Sequence, residues 1–300
     1  MLEPLHVYGH GKLLISGEYL IMKGAKGLAV PVRFKQHLRV KPQAEPLVRW
    51  TSRHPDKSVW MQAEYDLDLN MIAGTPANDA GLIRNILSVL KKMNPNLFRR
   101  GYTLETRTEF SREWGMGTSS SLIAVLSKWA QVNPFELLDQ TFGGSGFDVA
   151  VSLGGKQMLF WREKNRRKWE FVRWQPPFRK RIFFVHLNRK QNTARVVKKF
   201  AATAVNPETI EHITQITHQM LETGDMSRFQ ELMVEHEHIV GKLIGKRPVA
   251  TRLFPDYDGA IKSLGAWGGD MIMAVGGSNP ETYFRSKGFE LIFPFSKLIF

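Results

Sequence analysis

Residues Glu113 to Ala124 read Glu-Trp-Gly-Met-Gly-Thr-Ser-Ser-Ser-Leu-Ile-Ala, so two glycines one residue apart lead into hydroxyl side chains at the head of an apolar run. Glycine takes positive φ without steric cost, which lets the backbone around Gly115 and Gly117 turn its N–H groups toward one point. A helix opening at Thr118 would aim its positive end the same way. That is the chemistry of an anion cradle, and the hydroxyls of Thr118, Ser119 and Ser120 add donors for phosphate oxygens or oxygen ligands for a hydrated magnesium ion. Taken alone, the same residues also fit an ordinary N-capped helix after a turn. What accompanies them has to decide.

Three further segments accompany them: Gly9-His10-Gly11-Lys12-Leu13-Leu14-Ile15-Ser16-Gly17-Glu18-Tyr19, Gly143-Gly144-Ser145-Gly146-Phe147-Asp148-Val149-Ala150, and Lys262-Ser263-Leu264-Gly265-Ala266-Trp267-Gly268-Gly269-Asp270. With the Gly115 loop in its place between the first and second, the set resembles the GHMP kinases over nearly the whole chain. These are small-molecule kinases of galactose, homoserine, mevalonate and phosphomevalonate. The phosphomevalonate kinase branch is the most similar, through its Gly-Lys-Leu-x-Ile-x-Gly-Glu-Tyr opening, its Gly-Ser-Gly-Phe-Asp-Val segment and the Gly269-Asp270 ending. Mevalonate kinases usually end the first motif in His and follow the Asp with Asn.

The resemblance implies an α+β, two-domain fold, with an N-terminal α/β phosphate-loop domain over residues 1–176 and a C-terminal ferredoxin-like domain over 177–300. It implies ATP and Mg2+ as cofactors and a small anionic or polyol substrate. Gly115, Gly117, Thr118, Ser119 and Ser120 would hold the nucleotide phosphates, and Gly265, Gly268 and Gly269 would bring a second backbone loop to them. Ser119 takes the magnesium position. Its carboxylate partner would come from the helix before the Asp motif, which offers Glu136 and Asp139. Asp148 stands at the position of the catalytic carboxylate and Lys12 at that of the cation beside it; Lys12, Glu18, Ser145, Gly146, Arg189, Lys190 and Thr193 fall at substrate positions.

Phosphoryl transfer asks a protein to position two reactants and to stabilise charge spreading over the transferred group. A carboxylate of ordinary pKa, about 3.9, is a weak base at neutral pH. A hydroxyl acceptor would need Asp148 to help remove its proton. A phosphate monoester, with a second pKa of about 6, is already largely deprotonated and asks more of Lys12, Arg189 and Lys190 as charge neutralisers. The chain departs from the family pattern at His10 and Ser111, where proline is usual, at Ser120 and Ser121, where small apolar residues are usual, and at Trp267, where glycine is usual. Two other readings therefore stand beside a phosphomevalonate kinase: a mevalonate or other small-alcohol kinase, and a kinase-like module that binds nucleotide or nucleic acid without turnover.

The elements that must position these residues are read from periodicity. Strands are expected around Leu13 to Ile15, Leu28 to Val32 and Leu38 to Val40, then a polar, proline-punctuated stretch to about Pro76. Leu82, Ile83, Ile86, Leu87, Leu90 and Met93 recur at helical spacing, with Asp79 placed as a cap. A strand from Tyr102 to Phe110 delivers the chain to the Gly115 loop and to a helix over Ser119 to Val132. Met158 to Arg162 and Trp169 to Trp174 read as a hairpin, and Pro176-Pro177 marks the expected domain boundary. Beyond it come a strand at Arg181 to Leu187, apolar helical stripes through Ile210 to Met220 and Met226 to Leu243, and strands at Asp270 to Val275 and Glu290 to Phe295.

Composition sets outer bounds. Three hundred residues, 43% hydrophobic, suffice for one large or two modest cores, and without cysteine there is no disulfide framework, Cys-based zinc site or thiol nucleophile. The net charge is +14, and between Arg162 and Lys190 eleven basic residues face only Glu163 and Glu170. Tryptophans at 161, 169 and 174 interleave with them, as on a single-stranded nucleic-acid platform. With no recognition motif alongside, a solvated hairpin is the preferred reading and no specific nucleic acid is expected. Glu235-His236-Glu237-His238 cannot converge on one metal from a helix, and Asp256 and Asp258 are read as turn or cap residues. No signal-peptide pattern and no membrane-length apolar run is seen, so the expected setting is cytoplasmic, away from membranes.

Overall fold

The computed structural model describes residues 4–164, 166–188, 200, 203–265, 267 and 270–300. The chain forms two compact units that interleave along the sequence. One comprises Met1–Gly11, Phe34–Arg112 and Gly117–Gly155; the other comprises Lys12–Arg33, Glu113–Met116 and Lys156–Phe300. These units divide the chain at places other than residue 176, and the prolines at 176 and 177 lie in an irregular stretch within the second unit.

The first unit is built on strands β1 (Leu5–Leu14, in its first half), β2 (Gly27–Gln43, from Phe34 onward), β3 (Leu47–Arg53), β4 (Val59–Asp66), β5 (Met71–Thr75) and β6 (Gly101–Thr108). They are ordered β5-β4-β3-β6-β2, parallel between β3 and β6 and otherwise antiparallel. The polar stretch before Pro76 thus holds three strands. Val48, Trp50 and Ser52 are buried at alternate positions of β3, as are Met61, Ala63 and Tyr65 on β4, the period-two pattern of a half-buried strand. Prolines in the connections and charges on the outward face hid it.

Helices α1 (Ala77–Met93), α2 (Thr118–Ala130), α3 (Pro134–Thr141) and α4 (Phe147–Gly154) belong to the same unit. In α1, Ala80, Ile83, Ile86, Leu87 and Leu90 are buried and pack in a core with Leu38, Trp50, Tyr65 and Ile123. Each such side chain contributes about 1.5–3 kcal/mol by leaving water. Pro76, not Asp79, holds the N-cap position of α1, and Asp79 instead pairs with Arg112 at 3.1 Å.

In the second unit, strands β7 (Met158–Glu163) and β8 (Arg166–Phe171) form the expected hairpin, with β7 also paired to Gly27–Ala29 of β2. A four-stranded antiparallel sheet follows in the order β10-β11-β9-β12, from β9 (Ile182–His186), β10 (Gly259–Ser263), β11 (Met271–Gly276) and β12 (Ile292–Pro294). Helices α5 (Pro207–Glu222) and α6 (Met226–Ile244) follow the two apolar stripes. Their starts are capped: Asn206 accepts from the Glu208 N–H and Asp225 from the Ser227 N–H, each at 2.9 Å. Among the described residues no helix is long and apolar enough to cross a membrane.

Candidate active site

In the first unit, Gly117 adopts φ 87° and ψ 47°, and α2 begins directly after it with no side-chain cap. An L residue pays for that conformation and glycine does not. The Ser120 hydroxyl donates to the Gly117 carbonyl at 2.8 Å; that of Ser121 donates to Gln36 Oε1 at 2.5 Å, with the Gly117 carbonyl 3.0 Å away. Both serines are buried. The hydroxyl of Ser120 thus closes the turn rather than facing a ligand, which narrows the expected set of outward donors to Thr118 and Ser119. Ser119 is exposed. The first-turn N–H groups, which have no partner within a helix, and the positive helix end are what an anion would meet here.

Asp148 stands in the first turn of α4, again behind a left-handed glycine, Gly146 at φ 91°. Its Oδ1 accepts from the Val149 N–H at 3.0 Å, Ser145 is nearly buried, and α4 packs on α2. Glu136 is exposed in the first turn of α3, which starts after the C-terminal end of α2, where the Val132 N–H bonds the Ser127 carbonyl at 3.2 Å. Among the described residues no group of three or more His, Cys, Asp or Glu side chains is placed to hold a metal.

The second unit holds residues Glu113–Met116. The Lys12 N–H donates to the Met116 carbonyl at 2.9 Å, and its ammonium reaches the Gly115 carbonyl at 3.5 Å. His186, at the end of β9, bonds the Glu113 carbonyl through Nε2 at 3.0 Å, and Trp114 packs on Phe293 with ring centroids 5.4 Å apart. The next residue, Leu187, donates its N–H to the Asp270 carbonyl at 3.0 Å. Asp270 lies directly against Gly115, which is at φ 68°. Sequence reasoning passed over His186. A lone imidazole inside the apolar run Ile182 to Leu187 was the available signal.

Gly265 takes φ 63° and Trp267 φ 56°, so the tryptophan keeps the left-handed backbone that glycine usually supplies at that place. Its indole is buried, with the ring against Gly241 of α6. Arg189, Lys190, Thr193, Gly268 and Gly269 lie outside the described residues.

Glu18 is fully buried and paired with Lys262, with His236 Nε2 3.2 Å from its other oxygen. The Gly17 N–H donates to that same Nε2 at 3.0 Å, so the imidazole is an acceptor there. Burial holds His236 well below the usual imidazole range and pushes the Glu18 carboxyl up to about 7, against the pull of Lys262. Neighbouring Glu237 accepts from the Ser263 N–H at 2.8 Å, and burial raises its carboxyl to about 8. Of the tetrad from Glu235 to His238, two members thus enter a buried polar cluster. The others turn outward: Glu235 to His212 at 2.7 Å, and His238 to the Val234 carbonyl at 2.8 Å.

The architecture is that of the GHMP kinases. Solved structures that align over nearly the full chain include the Methanococcus jannaschii mevalonate kinase, 15% identical over 97% of each chain with a TM-score of 0.69. The Streptococcus pneumoniae phosphomevalonate kinase in complex with phosphomevalonate and AMPPNP is 17% identical over 96% of this chain and 98% of its own, with a TM-score of 0.70. The Lactococcus lactis galactokinase complexed with galactose is 14% identical over 95% and 88%, at 0.67. No protein-family model and no curated protein matches the sequence.

Proposed function

We propose that the protein is an ATP-dependent phosphotransferase acting on a small molecule, with phosphomevalonate as the acceptor. One observation carries this: an uncapped first turn of α2 behind left-handed Gly117, in a fold shared with GHMP kinases. The neighbour solved with phosphomevalonate and AMPPNP supports both the acceptor and the donor, as does the Gly-Ser-Gly-Phe-Asp-Val segment ending in Asp148. Mevalonate is the second reading, supported by the solved mevalonate kinases of similar score.

Amide groups from Gly115 to Ser120 hold the nucleotide phosphates. The exposed Ser119 hydroxyl would supply one oxygen ligand to a magnesium ion, with Glu136 as the candidate carboxylate. When bound, that ion neutralises phosphate charge. Lys12 supplies fixed positive charge where the phosphate loop begins. Asp148 orients the acceptor and, for a hydroxyl, accepts its proton. Arg189, Lys190 and Thr193 are substrate-binding candidates, and Gly268 and Gly269 complete the nucleotide loop.

A panel of acceptors assayed with Mg-ATP tests the proposal. ADP release should require magnesium and an added acceptor, with phosphomevalonate turned over faster than mevalonate. Turnover of mevalonate with no response to phosphomevalonate moves the assignment to the second reading, and no turnover on any acceptor rejects kinase activity.

A further inference from the structure

The end of β9 meets both loops of the second unit: His186 reaches Glu113 through its side chain, and Leu187 reaches Asp270 through its backbone. The imidazole is nearly buried, with a partner at each nitrogen. A carbonyl oxygen can only accept, so Nε2 carries a hydrogen toward Glu113. On the other side Nδ1 lies 3.3 Å from the Asn188 N–H and 3.4 Å from the Asn188 Oδ1. The ring is thereby held at both ends.

We propose that His186 is a positioning residue for the phosphate loop: its Nε2–H fixes the carbonyl of the residue that opens the loop, and so sets the direction of the amide groups that follow. This rests on the reading that residues 113–120 bind nucleotide phosphate. Preorganised donors aimed at an anion cost nothing to align when it arrives, whereas a loose loop must be ordered on binding. Three further contacts leave the loop little freedom except at this carbonyl: Lys12 N–H at Met116, Phe293 at Trp114, and Asp270 at Gly115.

The test uses three variants of the full chain. Gln places its amide nitrogen where Nε2 stands and can keep the bond to Glu113; Asn mimics only Nδ1, and Leu neither. Amide exchange is followed in the peptide covering 113–118 of the free protein, and Mg-ATP affinity by calorimetry. His186→Leu and His186→Asn should speed exchange there about three- to tenfold and weaken Mg-ATP by a similar factor, the size expected for one lost hydrogen bond. His186→Gln should stay within about twofold of the parent. With an active acceptor, the loss should appear in KM for ATP with kcat little changed.

If His186→Gln is as impaired as His186→Asn, the ring acts through packing and the proposal is wrong; equal exchange in all variants also overturns it. Should His186→Leu unfold, the Gln and Asn pair still decides. If the parent protein binds no nucleotide, the proposed function fails, and the exchange experiment alone decides whether His186 holds the loop.

Discussion

Gly115 and Asp270 touch: a Cβ built on the glycine would stand 2.6 Å from the Asp270 Cβ and 2.9 Å from its Oδ2. With φ at 68°, the position is closed to a side chain on two independent counts, backbone conformation and space. Gly115→Ala should therefore displace the loop, lowering Mg-ATP affinity at least tenfold while the melting temperature falls only a few degrees. Adding Asp270→Gly removes the clash but not the backbone strain, so it should restore part of the affinity. Binding by calorimetry on the single and double variants checks this, and unaltered affinity in Gly115→Ala refutes it.

Asp148 and Lys12 test the mechanism and the acceptor together. Asp148→Asn removes a charge and little volume, so folding and ATP affinity should hold within a few-fold while kcat drops. A loss of about 10²–10⁴-fold marks proton removal from a hydroxyl acceptor. A smaller loss, paired with a larger one for Lys12→Met, marks an acceptor that is already ionised. If steady-state kinetics show full turnover in both, the two residues are not the catalytic pair.

Glu237 and Glu18 give stability a defined pH dependence. Burial raises both carboxyls, to about 8 and about 7, so the folded state binds protons that the unfolded chain, titrating near 4.5, has released. Their contribution is complete below the unfolded value and is lost as pH rises through the folded ones. The melting temperature should fall by several degrees between pH 6 and pH 9. Glu237→Gln, which copies the neutral acid, should already exceed the parent at pH 6, above the unfolded value of 4.5, and exceed it further at pH 9. Thermal unfolding across that range would disprove this if the two curves run parallel.

Gly241 leaves no room beside Trp267. A Cβ there would meet the Lys246 carbonyl at 2.6 Å and the indole at 3.2 Å. Gly241→Ala should destabilise the protein by about 1–3 kcal/mol through overpacking, despite the better helix propensity of alanine. Denaturant unfolding gives the number, and a stabilised variant would mean that the indole moves freely.

The basic hairpin is expected to bind nucleic acid only weakly. Trp169 is 41% exposed but stacks on Phe160, and charge alone gives salt-sensitive, sequence-independent affinity. Fluorescence anisotropy with single-stranded RNA at physiological salt should show little binding, and Trp169→Ala should change nothing. Tight binding abolished by that substitution would contradict this.

Much of the fold was legible because periodicity survives in single elements. The stripe from Leu82 to Met93 gave α1, and the alternation after Met158 gave the hairpin. Strands β3 and β4 were missed because polar residues alternate with their few buried ones, and β5 because none of its five residues is buried. At the site, glycine spacing pointed to Gly115 and Gly117, since backbone conformation is a local property. Glu18, His236, Glu237 and Lys262 illustrate the opposite case. Their meeting depends on α6 lying on β10, and no window of sequence contains that contact.

Strand β2 is a single run of seventeen residues that gives Gly27–Arg33 to one unit and Phe34–Gln43 to the other. Neither unit is therefore a continuous stretch of the sequence. A chain stopped after Pro176 would keep Glu18 but lose Lys262 and His236, leaving a carboxylate built for burial with no companions, and it would keep Glu113 without His186. Swapping or duplicating such units between proteins would require exchanging interleaved segments at once.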